Sequence, residues 1–205
     1  EAETMNLKLL TPATDEPVAL EEFKAHARID DSGDDADVGG KVLAARVHVE
    51  NITNRALITS TWQAFFRHWP GTRWEDGRVN DPVFRIPLGN LQSVTSVTFT
   101  DSTGTQQTVD PSTYEVDLLA GEILLATGAA WPAAAMKRAN PICITFVCGW
   151  TVDTVPQAIK AAIELLAAHW YRNREAVTIG RTTVESMPLK MAVDALITPY
   201  ILWKF

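Results

Sequence analysis

The chain has 205 residues, of which 46% are hydrophobic and 21% charged, and its formal net charge is −7. That composition supplies a real core and excludes a disordered chain. The acidic balance argues against non-specific nucleic-acid binding by the whole surface, and no stretch reaches the roughly 18 apolar residues that a membrane span needs.

The opening "EAETMNLKLLTP" lacks a basic start followed by an apolar run, so no secretory signal is expected there. Met5 is the expected natural start, with Glu1 to Thr4 an appended remnant. Residues 17–54 read as two helices, 57–149 as strands and turns, and 156–198 as helix again. In "PVALEEFKAHARID", Leu20, Phe23 and Ala27 share one side, and Glu21 and Glu22 suit the N-terminal dipole. Ala19 stands where a capping Ser or Thr is expected, at a cost of about 1 kcal/mol. The second helix, about 35–53, repeats Val38, Val42, Ala45, Val49 and Ile52 at helical spacing. Gly39 and Gly40 weaken its first turns by roughly 1 kcal/mol each relative to Ala; close approach of another backbone or a frayed start would account for them. Asn54 is a natural left-handed stop.

The period then changes. "LITSTWQAFFRHWP" alternates Trp62, Ala64 and Phe66 against Gln63, Phe65 and Arg67, as a strand does. "VFRIPL", "VTSVTFT", "TYEVDL" and "EILLAT" read as short strands, with hairpin turns around Gly104 and Gly121. "WPAAAMKRANP" reads as an irregular loop before a last strand at 141–149. In that strand Ile142, Ile144, Phe146 and Cys148 face one way, and Cys143, Thr145 and Val147 the other. The two cysteines therefore lie on opposite faces, ~16 Å apart along the strand, and read as buried small hydrophobes in a reducing compartment.

Familiar chemical signatures fail on inspection. The run "DDSGDDAD" from Asp30 to Asp37 offers Asp35 and Lys41 where a calcium loop needs Gly and Glu, so a helix–helix turn with Asp34 or Asp35 near the next N-terminus is expected. "GGKV" lacks the earlier glycine and the Ser or Thr of a phosphate loop, and no G-x-S-x-G or H-E-x-x-H is present. His26, His48, His68 and His169 are scattered without ligand spacing. The seven tryptophans, at 62, 69, 74, 131, 150, 170 and 203, read as core and interface anchors.

"VPQAIKAAIELLAAHWYRNREAV" gathers a histidine, two glutamates and two arginines in one helix. Ile159, Ile163, Leu166 and Trp170 form its central stripe, widened by Ala158, Ala162, Leu165 and His169 on one side and Ala167 on the other. Glu164 lies about 140° around the helix from His169, so the two cannot serve one substrate or metal. Lys160 and Glu164 read as an ordinary i,i+4 pair, and Arg172 and Arg174 suit the last turn. The apolar arc is broad, which points to a packing helix with room for a second partner on one flank.

The ordered series "EPVALEEFKAHARID", "AARVHVENITNRALITSTW", "IPLGNLQSVTSVTFTDSTG", "WP", "ITFVCGW", "VPQAIKAAIELLAAHWYRNRE" and "MPLKMAVDALITPY" resembles the head–tail connector, or adaptor, family of long-tailed bacteriophages and prophages, over about residues 16–200. Ala19 and the Gly39-Gly40 pair depart from the usual pattern and bear on the local geometry of the first two helices. The resemblance implies an α+β fold: a small helical bundle, an N-terminal helix pair plus C-terminal helices, with an inserted antiparallel β-sheet or small β-sandwich. Residues 16–55 and 155–200 would form the helical core, 56–150 the β-rich insert and 201–205 a C-terminal tail.

It also implies a virion structural protein with no enzymatic activity, no catalytic residues, no cofactor and no metal. Such adaptors form a ring of about twelve subunits beneath the portal, and a ring needs two different matching patches on each subunit. The implied partners are further copies, the portal protein, a neck, stopper or tail-completion protein, and genomic DNA passing through the lumen without sequence-specific binding. The implied location is the virion neck, with the host cytoplasm during assembly. The helix faces and terminal aromatics make Leu165, His169, Arg172, Arg174, Tyr200, Trp203 and Phe205 the candidate subunit or portal contacts. Deleting 199–205 is expected to leave a folded monomer that docks poorly. Glu164 and Asp194 are candidate lumen charges that would let DNA slide. Two rival functions remain: a nucleic-acid-binding module on Arg67, Arg73, Arg78 and neighbouring Trp, and a hydrolase using His48, His169 and nearby carboxylates.

Overall fold

The computed structural model describes residues 6–72, 82–173 and 186–203. Its architecture is α+β, with four helices, a five-stranded sheet and a three-stranded sheet, and every pairing of named strands is antiparallel. The chain forms two compact units. One comprises Glu1–Pro12 and Thr59–Gly149, the other Ala13–Ile58 and Trp150–Phe205.

The first unit is built on period-two sequence. Strands β1 (Asn6–Thr11), β2 (Ser60–Phe66), β4 (Leu91–Thr100), β5 (Gln106–Thr108) and β8 (Ile142–Cys148) make a sheet in the order β1-β2-β8-β4-β5, and β3 (Phe84–Arg85), β7 (Glu122–Leu125) and β6 (Tyr114–Asp117) make the second. β8 is central, and its sequence is accordingly almost wholly apolar, with Ile142, Ile144, Phe146 and Cys148 fully buried. Cys143 points to the opposite face, and both cysteines are free and buried. Burial pushes the Cys143 thiol above its ordinary range.

Phe84 of the small sheet meets Phe66 of the large one with ring centroids 4.6 Å apart, and Trp69 stacks on Trp131 at 5.0 Å. Such aromatic pairs contribute about 0.5–1.5 kcal/mol each beyond area burial, which makes this cluster the anchor of the unit. Both anticipated hairpins are present, with Gly104 and Gly121 at positive φ. β1 and β5 extend the expected set. β1 is an edge strand exposed along its whole length, and it carries a bulge between Leu9 and Thr11 that blunts the edge.

The second unit is helical. α1 (Leu20–Ala27), α2 (Asp35–Thr53), α3 (Gln157–Arg172) and α4 (Ser186–Ile197) surround one core, in which Phe23, Val38, Ala45, Val49, Ile159, Ile163 and Ile197 are fully buried. Ala19 supplies no side-chain cap to α1. That loss of about 1 kcal/mol is outweighed by burying Phe23, worth roughly 2–3 kcal/mol. α1 ends on Arg28 and α2 on Asn54, both left-handed. The acidic run between them is spent on structure. Asp35 accepts from Lys24 Nζ at 2.6 Å, Asp34 accepts from the Tyr171 hydroxyl at 2.7 Å, and Asp31 accepts from the Gly33 N–H at 2.9 Å. Among the described residues no helix is long and apolar enough to cross a membrane.

Candidate functional site

The helical unit holds most of the candidate site residues, and α3 organises it. α3 packs against α1, α2 and α4. Ile159, Ala162, Ile163, Leu166, Ala167 and Ala168 are buried along it, and so is Glu164, at 8% exposure. The buried arc is therefore turned toward Glu164 and Ala168; Lys160 still acts on Glu164 electrostatically, but the carboxyl of that i,i+4 pair is buried. α1 lies on that flank and brings His26 Nδ1 to 3.7 Å from Glu164 Oε2. Burial pushes the Glu164 carboxyl above its ordinary value, with His26 opposing and Glu22 reinforcing the rise. Glu164 is thus buried beneath α1, whereas Asp194, the other candidate charge, is exposed on α4.

The flank carrying Leu165 and His169 is half-buried. Leu165 packs at the margin of the core, and His169 sits 3.2 Å from the Asn173 amide through Nδ1. Arg172 is exposed at the end of α3; Arg174 lies outside the described residues.

The terminal segment behaves differently from the expected free tail. Tyr200 is folded back against the helical core, and its carbonyl accepts from Arg55 Nε at 2.6 Å. Leu202 donates its N–H to the Thr53 carbonyl at 2.9 Å and accepts from Asn54 Nδ2 at 3.1 Å. The Leu202 N–H thereby satisfies the Thr53 carbonyl, one of those an α-helix leaves unpaired at its C-terminal end, and the Asn54 and Arg55 side chains fasten the same segment. Beyond this clasp Trp203 is 67% exposed. Phe205 lies outside the described residues.

A charged network missed from the sequence holds the start of the unit. Arg46 donates through Nε to Glu16 at 2.7 Å and through a terminal nitrogen to both Glu50 oxygens at 3.1 Å, and Glu50 accepts the Leu57 N–H at 3.0 Å. Burial works against the Arg46 charge, but Glu50 and Glu16 outweigh it and raise its pKa. The Arg46–Glu50 spacing of four residues on α2 was the available signal.

These arrangements are structural in character. His48 meets the edge of Trp170 at 5.8 Å, and His169 is engaged with Asn173, so the two histidines of the hydrolase alternative are spent on separate contacts. Among the described residues no group of three or more His, Cys, Asp or Glu could hold a metal ion. For the nucleic-acid alternative, Arg67 is exposed, but the neighbouring Trp69 is buried in the aromatic cluster and unavailable for base stacking. Arg73, Trp74 and Arg78 lie outside the described residues.

The fold recurs in solved structures. A chain in the neck of the empty GTA particle computed with C6 symmetry matches with a TM-score of 0.75 at 21% identity, covering 98% of this chain and 97% of that one. A chain in the virion of the native gene transfer agent (GTA) particle matches with a TM-score of 0.73 at 21% identity, covering 97% and 96%. A chain in the neck of the native GTA particle computed with C12 symmetry gives 0.70 at 21% identity, covering 98% and 97%. At this identity the likeness is one of fold. No family model matches the sequence, and no curated protein matches it.

Proposed function

We propose that this chain is a structural, non-enzymatic subunit of the neck of a phage-like particle. Its role is that of a head–tail connector that forms a ring beneath the portal and extends the DNA channel toward the tail. The carrying observation is the end-to-end match to a chain of the GTA neck, at a TM-score of 0.75 with 98% and 97% of the two chains covered. The ordered sequence series supports the same reading independently of any coordinates.

On this proposal the helical unit is the ring core and the β-rich unit is the insert. The partners are neighbouring copies, the portal and a stopper or tail-completion protein, and DNA passes without sequence-specific binding. The protein assembles in the host cytoplasm and ends in the virion neck. The cyclic symmetry of the two GTA necks supports a ring as the assembled form.

The test is to mix the purified chain with portal rings of the same particle and measure mass by light scattering, with electron microscopy of the product. The expected result is a cyclic oligomer seated on one end of the portal. A chain that stays monomeric and unbound at micromolar concentrations of both proteins overturns the proposal.

A further inference from the structure

α2 turns Val38, Val42, Ala45 and Val49 to the core, each at 2% exposure or less. A helix placed this way ordinarily sets polar residues on the opposite face. Over its first three turns α2 does not. Ala36, Gly40, Leu43, Ala44 and Val47 are all exposed, and the polar Asn51 joins that face only one turn beyond Val47. At 100° per residue they fall within an arc about 100° wide, directly opposite the core stripe. Leu43 and Val47 are 44% and 42% exposed. Near the middle of that arc, a Cβ on Gly40 would meet nothing within 4 Å. A helical glycine weakens its helix relative to alanine, and nothing among the described residues requires one there. Asp37 and Lys41, paired with each other at 3.5 Å, lie at the rim of the stripe.

We propose that this outward face of α2 is one half of the contact between neighbouring copies of the chain, the other half being the patch of Met191 on α4 and Trp203. The inference rests on the neck-ring reading and adds the surfaces to it. A closed ring of identical subunits needs two different patches that match head to tail. Among the described residues of the helical unit, the exposed large hydrophobic side chains are Leu43, Val47, Met191 and Trp203, the last two at 70% and 67% exposure. They divide between α2 and the C-terminal segment. α2 and α4 each pack on α3, so the two patches sit on different members of the bundle. The open notch at Gly40 suits a long side chain such as Met191 as a knob.

The chemistry favours a second copy over the DNA that would pass nearby, because the stripe itself carries no cation for a phosphate. Size points the same way. From Ala36 to Val47 the stripe is about 18 Å long and about 10 Å across, roughly 200 Å², well under the roughly 800 Å² per partner of a stable pair. Such a contact holds when it is repeated around a closed ring.

The deciding experiment uses the full chain carrying both Leu43→Cys and Met191→Cys, assembled on portal rings and mildly oxidised. The native Cys143 and Cys148 are buried and stay silent. The expected product is a ladder of disulfide-linked multimers, with none from either single variant. A ring of correct mass without cross-links overturns the inference while leaving the neck reading intact. Dimers from Leu43→Cys alone also overturn it, since the α2 face would then meet itself. Failure of the unmodified chain to form any ring on the portal removes the neck reading and this inference together. Gly40→Leu supplies an independent arm: thermal stability should be undiminished, while the concentration for half-assembly rises at least tenfold. Unchanged assembly of that variant overturns the proposal.

Discussion

His26 Nδ1 lies 3.7 Å from Glu164 Oε2, tying α1 to the buried flank of α3. The pair is too long for a strong hydrogen bond, so Glu164 bears a desolvation cost that His26 only partly offsets. Its carboxyl titrates above the ordinary 4.5 in the folded chain, so the folded state holds that proton more tightly than the unfolded state. The resulting stabilisation is fully present below about pH 4.5 and is lost as pH rises through the raised value. Glu164→Gln is therefore expected to stabilise the chain by about 1 kcal/mol at pH 8 and to make little difference at pH 4. Urea unfolding at the two pH values measures this. A variant less stable than the parent at pH 8 would mean that the ionised carboxylate is needed.

Arg46 is the opposite case, a charge whose partners hold it closely. Its side chain is 14% exposed and bridges Glu16 and Glu50, which are 35% and 21% exposed. Truncating the cation leaves two carboxylates facing each other with their common partner gone. Arg46→Ala should cost about 2 kcal/mol, between the value for a surface pair and that for a broken buried one. Adding Glu50→Gln should recover part of that loss, because it removes one stranded charge. A double-mutant cycle in urea reads the coupling, and additivity within about 0.3 kcal/mol would rule the network out as a unit.

The elements most legible in the sequence were those whose own periodicity decides their form. α2 spans Asp35–Thr53 and stops at a left-handed Asn54, as its apolar spacing and terminal residue imply. The β-strands with clear alternation and the turns at Gly104 and Gly121 follow the same logic. β1 and β5 were not legible. "NLKLLT" lies exposed on both faces, and "QQT" is short and polar, so each is a strand because a neighbour offers a ladder to pair with.

Glu164 was misjudged for a related reason. Helical periodicity treats a charge as a mark of the solvent side, but burial at that position is set by where α1 lies. The clasp at Tyr200 and Leu202 depends on backbone carbonyls and on Asn54 and Arg55, some 145 residues earlier, and the terminal sequence carries no trace of it. Candidate contacts chosen by helix face, such as Leu165 and His169, consequently lie half-buried at the margin of the core.

Two glycines make a matched pair of tests. Gly40 lies within a helix with open space around a Cβ, whereas Gly121 turns a hairpin at φ 70° with the Ile86 carbonyl oxygen 3.7 Å from where a Cβ would stand. Gly40→Ala should raise stability by about 1 kcal/mol through helix propensity alone. Gly121→Ala should lower it by at least about 1 kcal/mol, because a side chain is strained at positive φ. Thermal melts of both variants check the signs. Destabilisation by Gly40→Ala would mean that the N-terminal half of α2 needs the glycine within the isolated chain, contrary to its open surroundings.

The last prediction separates folding from docking at the C-terminal end. The Thr53 carbonyl, the Asn54 amide and the Arg55 guanidinium all bond to residues 200–202, and Tyr200 also packs against the helical core. Removing residues 200–205 strips three hydrogen bonds from the end of α2 and leaves partly buried polar groups without these partners. At about 1 kcal/mol per bond, with the lost packing added, the cost should be roughly 3–4 kcal/mol. Cutting after Leu202 keeps every one of those bonds and should leave the melting temperature within about 1 °C, because an exposed Trp203 contributes little to the folded monomer. Thermal unfolding of the two truncations by circular dichroism gives the comparison. Equal stability of both would show that the clasp adds nothing to the fold, whereas a large loss on cutting after Leu202 would mean that Trp203 and the residues after it support the fold of the monomer.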